Sequence, residues 1–304
     1  MVAGRHVNPV LPALLGATCI STSAIVVRLA DVGAGTTAFY RCVLALPILI
    51  ALGFLEQRRR GARSLRVRFQ AGVAGLFLGV DLVLWTHAIY DVGAGIATVL
   101  GNLQVLFVTF IAWVWLRERP RTQFLVALPV VLFGIVLLAG LTGASGPKFH
   151  PLAGVLYGLG ASLTYSGFIL ILRTSTKGTP HVAGPLADAT VGAALAALVL
   201  GLALGQLRFS LPPHALGWLL VLALTSQTLG WLFITASLPQ LPAAISALLL
   251  LLQPAASLVL AAVVLSERPT WWQLFGAALV CGGVLVAARA DARGRVTPIE
   301  PTPG

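Results

Sequence analysis

The chain reads as an all-α integral membrane protein of ten transmembrane helices in two inverted-topology five-helix repeats. Three observations predict this. Of its 304 residues 58% are hydrophobic and only 10% are charged, where a soluble domain carries roughly 25% charged residues. Leu116-Arg117-Glu118-Arg119-Pro120 recurs as Leu265-Ser266-Glu267-Arg268-Pro269, 149 residues later and close to half the chain. The same register pairs Gln104 with Gln253, Ala94 with Ala243, Ile96 with Ile245 and Gly134 with Gly283. Each half holds five apolar runs, an odd number, so the halves must cross the membrane in opposite senses. That is the pattern of a transporter built from inverted repeats.

A helix needs about 20 apolar residues to cross a bilayer, and each run meets that length in turn. The first, approximately 10–29, stops before Asp31 and carries Ser21, Thr22 and Ser23 within it. The second, 36–55, contains Arg41 and Pro47 and runs into the charge cluster from Glu56 to Arg68. The third, 70–90, presents Gly72, Gly75 and Gly79 for close packing, holds Asp81 near its centre and ends at Asp91-Val92-Gly93. The fourth, 94–115, carries Asn102 and Gln104 and is stopped by the first Glu-Arg-Pro; the fifth, 122–141, contains Pro129 and ends in the turn from Gly143 to Pro151.

The second half follows the same order. The sixth run, 152–172, bears Gly154, Gly158, Thr164, Tyr165 and Ser166, and ends before Lys177 to Pro180. The seventh, 183–204, begins near Asp188, which an offset of 147 places opposite Arg41. The eighth, 215–236, holds Ser226, Gln227 and Trp231, and a short link marked by Pro239 and Pro242 leads to the ninth, 241–265. The ninth carries Ser246 and Gln253, with Pro254 as a hinge candidate, and meets the second Glu-Arg-Pro; the tenth is 271–288. The repeats are thus placed at 1–145 and 146–290, with 291–304 as a disordered cytoplasmic tail.

Charge sets the orientation. With the N-terminus inside, fifteen Lys and Arg fall in inner segments, among them Arg58, Arg63, Arg121 and Arg173, and four fall outside: Arg28, Lys148, Arg208 and Arg268. The positive-inside rule then puts both termini in the cytoplasm. It also accounts for the net charge of +11 without a nucleic-acid partner. The first apolar run lacks a cleavage site and is expected to be retained. Cys19, Cys42 and Cys281 lie in apolar runs, with no spacing for a metal or a disulfide framework. No cofactor is expected. Arg-rich, Lys-poor usage with abundant Ala and Gly suggests a bacterial inner membrane.

Ten spans, a five-plus-five repeat and the (Leu)-x-Glu-Arg-Pro endings of helices four and nine together resemble the EamA family of the drug/metabolite transporter superfamily. The likeness runs from about Leu11 to Ala288. Arg41 resembles an arginine often found early in helix two of that family, and the stretch Asp81 to Ile89 resembles a subgroup pattern with an acid, a tryptophan and a histidine. The resemblance implies transport of small organic solutes such as amino acids. The second half departs from the pattern, with no arginine opening helix seven and no acid in helix eight.

Asp81 is the sharpest single residue. A carboxylate at that depth costs about 2.5–3.5 kcal/mol on insertion scales, so it must face a cavity or a partner. It is either a proton-coupling or substrate-ammonium site, or the structural partner of Arg41 or Arg28. Trp85 lies four residues on and shares its helix face, whereas His87 does not and sits near the helix end. By the same spacing Gln227 and Trp231 share a face of helix eight. Uncharged amides between aromatic walls suit a solute with a polar head and an apolar body. The expected substrate-binding set is therefore Asp81, Trp85, Asn102, Gln104, Gln227, Trp231, Gln253, Tyr165 and Arg41.

The function expected is secondary active transport by alternating access, outward and proton-coupled, with a small-molecule substrate and the lipid bilayer as partners. The alternatives are an intramembrane enzyme or a passive channel. An enzyme would need a constellation that is missing, such as His-Glu-x-x-His, Gly-x-Ser-x-Gly or paired aspartates. No catalytic role is therefore expected.

Overall fold

A computed structural model describes residues 10–116, 122–138, 150–176, 178–237 and 243–293. The first Glu-Arg-Pro motif, Lys148, the turn after Gly143, Lys177, Pro239, Pro242 and most of the expected tail lie outside them. Among the described residues the regular structure is helical throughout. Six helical segments are long and apolar enough to cross a membrane: Val10–Ala30, Ala34–Arg60, Leu65–Val92, Pro151–Thr176, Ala183–Ala203 and Pro213–Ser237. Shorter apolar helices cover Ala94–Val108, Leu125–Leu137 and Gln253–Val264.

In chain order the helices are α1 (Val10–Ser21), α2 (Ser23–Ala30), α3 (Ala34–Arg60), α4 (Leu65–Val92), α5 (Ala94–Gly101), α6 (Gln104–Leu116) and α7 (Thr122–Leu138). They continue as α8 (Pro151–Thr176), α9 (Ala183–Ala203), α10 (Pro213–Leu222), α11 (Trp231–Ser237), α12 (Ala243–Val264) and α13 (Trp271–Arg293). A π-helical stretch, Ala223–Gly230, joins α10 to α11. Three spans expected as continuous helices are therefore interrupted: at Thr22, at Asn102-Leu103 and across 223–230. The third helix starts earlier than expected because Ser64 caps it, its hydroxyl accepting from Val67 N–H at 3.3 Å. α12 continues through Pro254.

The outer surface explains the composition. Phe54, Phe69, Phe133, Val263 and Trp271, the last 85% exposed, are among many large apolar side chains that point outward. Water would not tolerate a surface of that extent; lipid would.

The interior is built on small residues. α4 crosses α9 backbone to backbone: Gly75 lies so close to Ala189, and Gly192 to Gly72, that neither glycine leaves room for a Cβ. Close approach of this kind is how helices associate when apolar burial offers no net drive. α3 also lies along α9, and the pair is fastened at both ends. At one end the Glu56 carboxylate accepts from the N–H groups of Val182 (2.8 Å) and Gly184 (2.9 Å), an acid placed on a helix N-terminus where the dipole favours it. At the other, the Thr36 hydroxyl donates to Gln206 O at 2.7 Å and accepts from Arg208 N–H at 3.0 Å.

Candidate functional site

The three interruptions converge on one place. A cavity of about 100 Å³ is lined by Ile20 and Ser23 at the α1–α2 break, by Gly101, Asn102 and Gln104 at the α5–α6 break, and by Ser226 within the π-helical stretch and Trp231 directly after it. Irregular backbone at membrane depth is tolerated where it lines a cavity, and discontinuous helices commonly form transporter sites there.

Eight of the nine expected residues meet in this cavity: Arg41, Asp81, Trp85, Asn102, Gln104, Tyr165, Trp231 and Gln253. α4 contributes a single stripe, Leu78, Asp81, Leu82 and Trp85, at the i, i+3, i+4, i+7 spacing of one helix face. Asn102 is held at the end of α5 by its own amide, which donates to Thr98 O at 2.9 Å. Tyr165 and Trp231 form the aromatic wall, 5.9 Å apart between ring centroids, and both pack on the buried ring of Phe168.

Gln227 is the exception. It is fully buried, and its Nε2 lies 3.4 Å from the hydroxyl of Thr190 on α9, away from the cavity. The reason is the π-helix. In an α-helix residues 227 and 231 share a face, while residues five apart differ by roughly 140°. Here Trp231 N–H bonds to Ser226 O, five residues back. This wider turn brings Ser226 onto the face of Trp231 and rotates Gln227 off it. π-Bulges concentrate at functional sites for this kind of reason, and a spacing argument based on 3.6 residues per turn cannot find them.

The cavity holds one guanidinium and one carboxylate. Arg41, 4% exposed, donates from Nη2 to Ser226 Oγ at 3.2 Å, and its Nε has no partner among the described residues. Asp81 is 8% exposed. The ion pairs found among the described residues join Arg60 to Glu56 and join Arg63 and Arg68 to Asp188; none includes Arg41 or Asp81. The structural ion pair considered for Asp81 is thus not formed, and Arg28 lies instead over the ring of Tyr90. Ser23 Oγ and Gln104 Oε1 are also buried without a partner among the described residues. Buried polar groups in this condition call for a ligand or water. No residue set among those described is suited to a metal.

Other expectations resolve differently. Asp188 does not mirror Arg41 across the cavity; it pairs with Arg63 of the loop between α3 and α4 and with Arg68 in the first turn of α4. His87, expected off the Asp81 face, bonds to Gln206 Oε1 at 3.1 Å and stacks on Tyr157, outside the cavity lining. Thr98, Leu78 and Leu82 line the cavity and were not singled out by sequence. The two leucines were recoverable from the stripe that holds Asp81 and Trp85.

Known proteins share this architecture. Residues 8–140, and again residues 152–289, match the profile of the EamA-like transporter family. The chain is 29% identical over 213 residues to the uncharacterized transporter YwfM of Bacillus subtilis (strain 168), covering 68% of this chain and 69% of that one. It is 30% identical over 104 residues to a probable 4-amino-4-deoxy-L-arabinose-phosphoundecaprenol flippase subunit, ArnE, of Klebsiella pneumoniae (strain 342). That match covers 32% of this chain and 92% of ArnE. One crystal structure superposes with a TM-score of 0.60 at 18% identity, over 95% of this chain and 99% of that one, a likeness of fold alone.

Proposed function

The chain belongs to the EamA-like transporter family, a multi-pass membrane transporter, and from that premise we propose that it exports small zwitterionic metabolites such as amino acids. It does so by alternating access, in a bacterial inner membrane. Ten helices in two inverted five-helix repeats, with both termini cytoplasmic, form the framework. The two matches to one family profile and the 149-residue register support this arrangement.

One observation carries the substrate class: Arg41 and Asp81 line the same cavity without forming an ion pair with each other. A zwitterion supplies both missing partners, its carboxylate to Arg41 and its ammonium to Asp81. Buried charges left unpaired are strongly unfavourable, so occupancy by such a solute is favoured over an uncharged one. Trp85, Tyr165, Trp231 and Leu78 receive its apolar body, and Asn102, Gln104 and Gln253 supply uncharged hydrogen bonds. Asp81 takes the coupling role: when the solute leaves, a proton replaces the ammonium as its partner.

A metabolite screen on purified protein in liposomes, with and without a pH gradient, tests this reading. Gradient-dependent movement of zwitterions, with weaker movement of their amides and esters, is the expected result. Equal rates for these analogues, which keep the ammonium and lack the carboxylate charge, would overturn it.

A further inference from the structure

We propose that Glu267 is the positioning residue that holds the cavity shut at the end of the bundle carrying Gly93 and Trp271, and that it must release α5 before a solute can pass there. The proposal rests on the alternating-access reading above and adds to it the contact that has to break.

α5 begins at Ala94 with Gly93 as its N-cap residue, which has no side chain to satisfy the first N–H groups. The missing partner comes from 173 residues away: Glu267 Oε1 accepts from Ala94 N–H at 2.9 Å. The approach depends on Gly93. Its φ of +89° suits glycine, and a Cβ there would stand 2.7 Å from a Glu267 carboxylate oxygen. The carboxylate is aimed by a sharp stop on α12. Ser266 adopts φ +53°, and the N–H groups of Leu265 and Glu267 both bond to Ala261 O at 3.1 Å. An anion at a helix N-terminus is favoured by the helix dipole.

Below this cap the same two helices are joined down to the cavity. Gly95 lies against Leu258. The Thr98 hydroxyl donates to Ala94 O at 2.8 Å, so Ser257 is the donor in the 3.0 Å contact between the Ser257 and Thr98 hydroxyls. Thr98 itself lines the cavity, as do Gly101 and Asn102 at and just beyond the end of α5. The seam between α5 and α12 therefore runs unbroken from the Glu267 cap to the cavity wall. Its polar contacts are Glu267 to Ala94 and Ser257 to Thr98, and Gly95 lets Leu258 pack closely between them. In this reading the second Glu-Arg-Pro is a clasp between the two halves, and not only a charged helix end.

The test reads access to the cavity with a membrane-impermeant maleimide, in a protein lacking Cys19, Cys42 and Cys281 and carrying Ser23→Cys. Ser23 lies on α2, outside the seam. Trp271→Cys, measured in parallel on right-side-out and inside-out vesicles, identifies the face on which Glu267 sits. Glu267→Ala should raise the labelling rate of Ser23→Cys from that face by about twofold to thirtyfold, the span expected from losing an N-cap. Glu267→Gln retains an oxygen that accepts from Ala94 N–H and should stay near the parent rate. Ser257→Ala opens the same seam without touching Glu267 and should also raise labelling, which keeps the test decisive if Glu267→Ala fails to accumulate. Unchanged labelling in Glu267→Ala and Ser257→Ala, or a rise from the opposite face only, would overturn the proposal. Labelling needs no solute. A protein that opens on loss of Glu267 yet moves no metabolite therefore counts against the transport reading and not against the clasp.

Discussion

The guanidinium of Arg41 is held by the hydroxyl of Ser226 at 3.2 Å and not by the carboxylate of Asp81, although both charges line one cavity. Ser226 reaches Arg41 because the helix there is wound as a π-helix. The bond thus joins the two family repeats, Arg41 in residues 8–140 and Ser226 in residues 152–289.

Ser226→Ala should leave Arg41 buried but unaimed. A hydrogen bond to a charged group contributes about 1.5–3 kcal/mol, so apparent affinity for carboxylate-bearing solutes should fall by roughly tenfold to a hundredfold. The check is binding or exchange by reconstituted protein, at matched protein level. Unchanged affinity would mean that Arg41 does not meet the solute through this arrangement.

The glutamines should separate into two kinds. Gln104→Leu and Gln253→Leu each remove an amide from the cavity lining, and each should weaken apparent affinity by the roughly 0.5–1.5 kcal/mol of a net hydrogen bond. Gln227→Leu should do nothing to affinity. Its buried Oε1 has no partner among the described residues, and Thr190 donates to Leu186 O regardless. Removing an amide whose oxygen is unsatisfied and whose nitrogen makes only one long contact of 3.4 Å costs little. Thermal unfolding in detergent alongside transport reads both effects. A loss of affinity in Gln227→Leu would contradict its placement.

Topology is checked at two exposed positions. Arg66→Cys and Trp271→Cys are both accessible side chains, in contrast to Arg63, which is buried against Asp188. In the cysteine-free background, an impermeant reagent applied to intact cells should label position 271 and spare 66. The reverse pattern would invert the proposed orientation.

Much of this was legible in the sequence because membrane crossing imposes simple rules. Run length, glycine spacing and the Glu-Arg-Pro repeat marked the helical apolar segments and the close-packing glycines of α4, though not their partners on α9. Most of the cavity followed from one idea, that polar residues at membrane depth must face inward. What failed was local geometry. The π-helix moved Gln227 out and Ser226 in, and no residue pattern at 3.6 periodicity announces it. The partners of Asp188 and Glu267 lie 125 and 173 residues away in sequence. Those contacts depend on how helices cross, and spacing along the chain carries no trace of them.

The central claim, that Asp81 meets the solute's ammonium and a proton by turns, is tested most directly by Asp81→Asn. The substitution keeps shape and removes charge. Counterflow and gradient-driven accumulation of a zwitterion should be measured in liposomes, for this protein and the unaltered one. Arg41 keeps its Ser226 bond in the absence of an Asp81 ion pair, so the variant should fold and accumulate normally. It should bind the solute more weakly, retain exchange, and lose accumulation driven by a pH gradient. A stable Asp81→Asn protein with full pH-dependent accumulation would contradict the account.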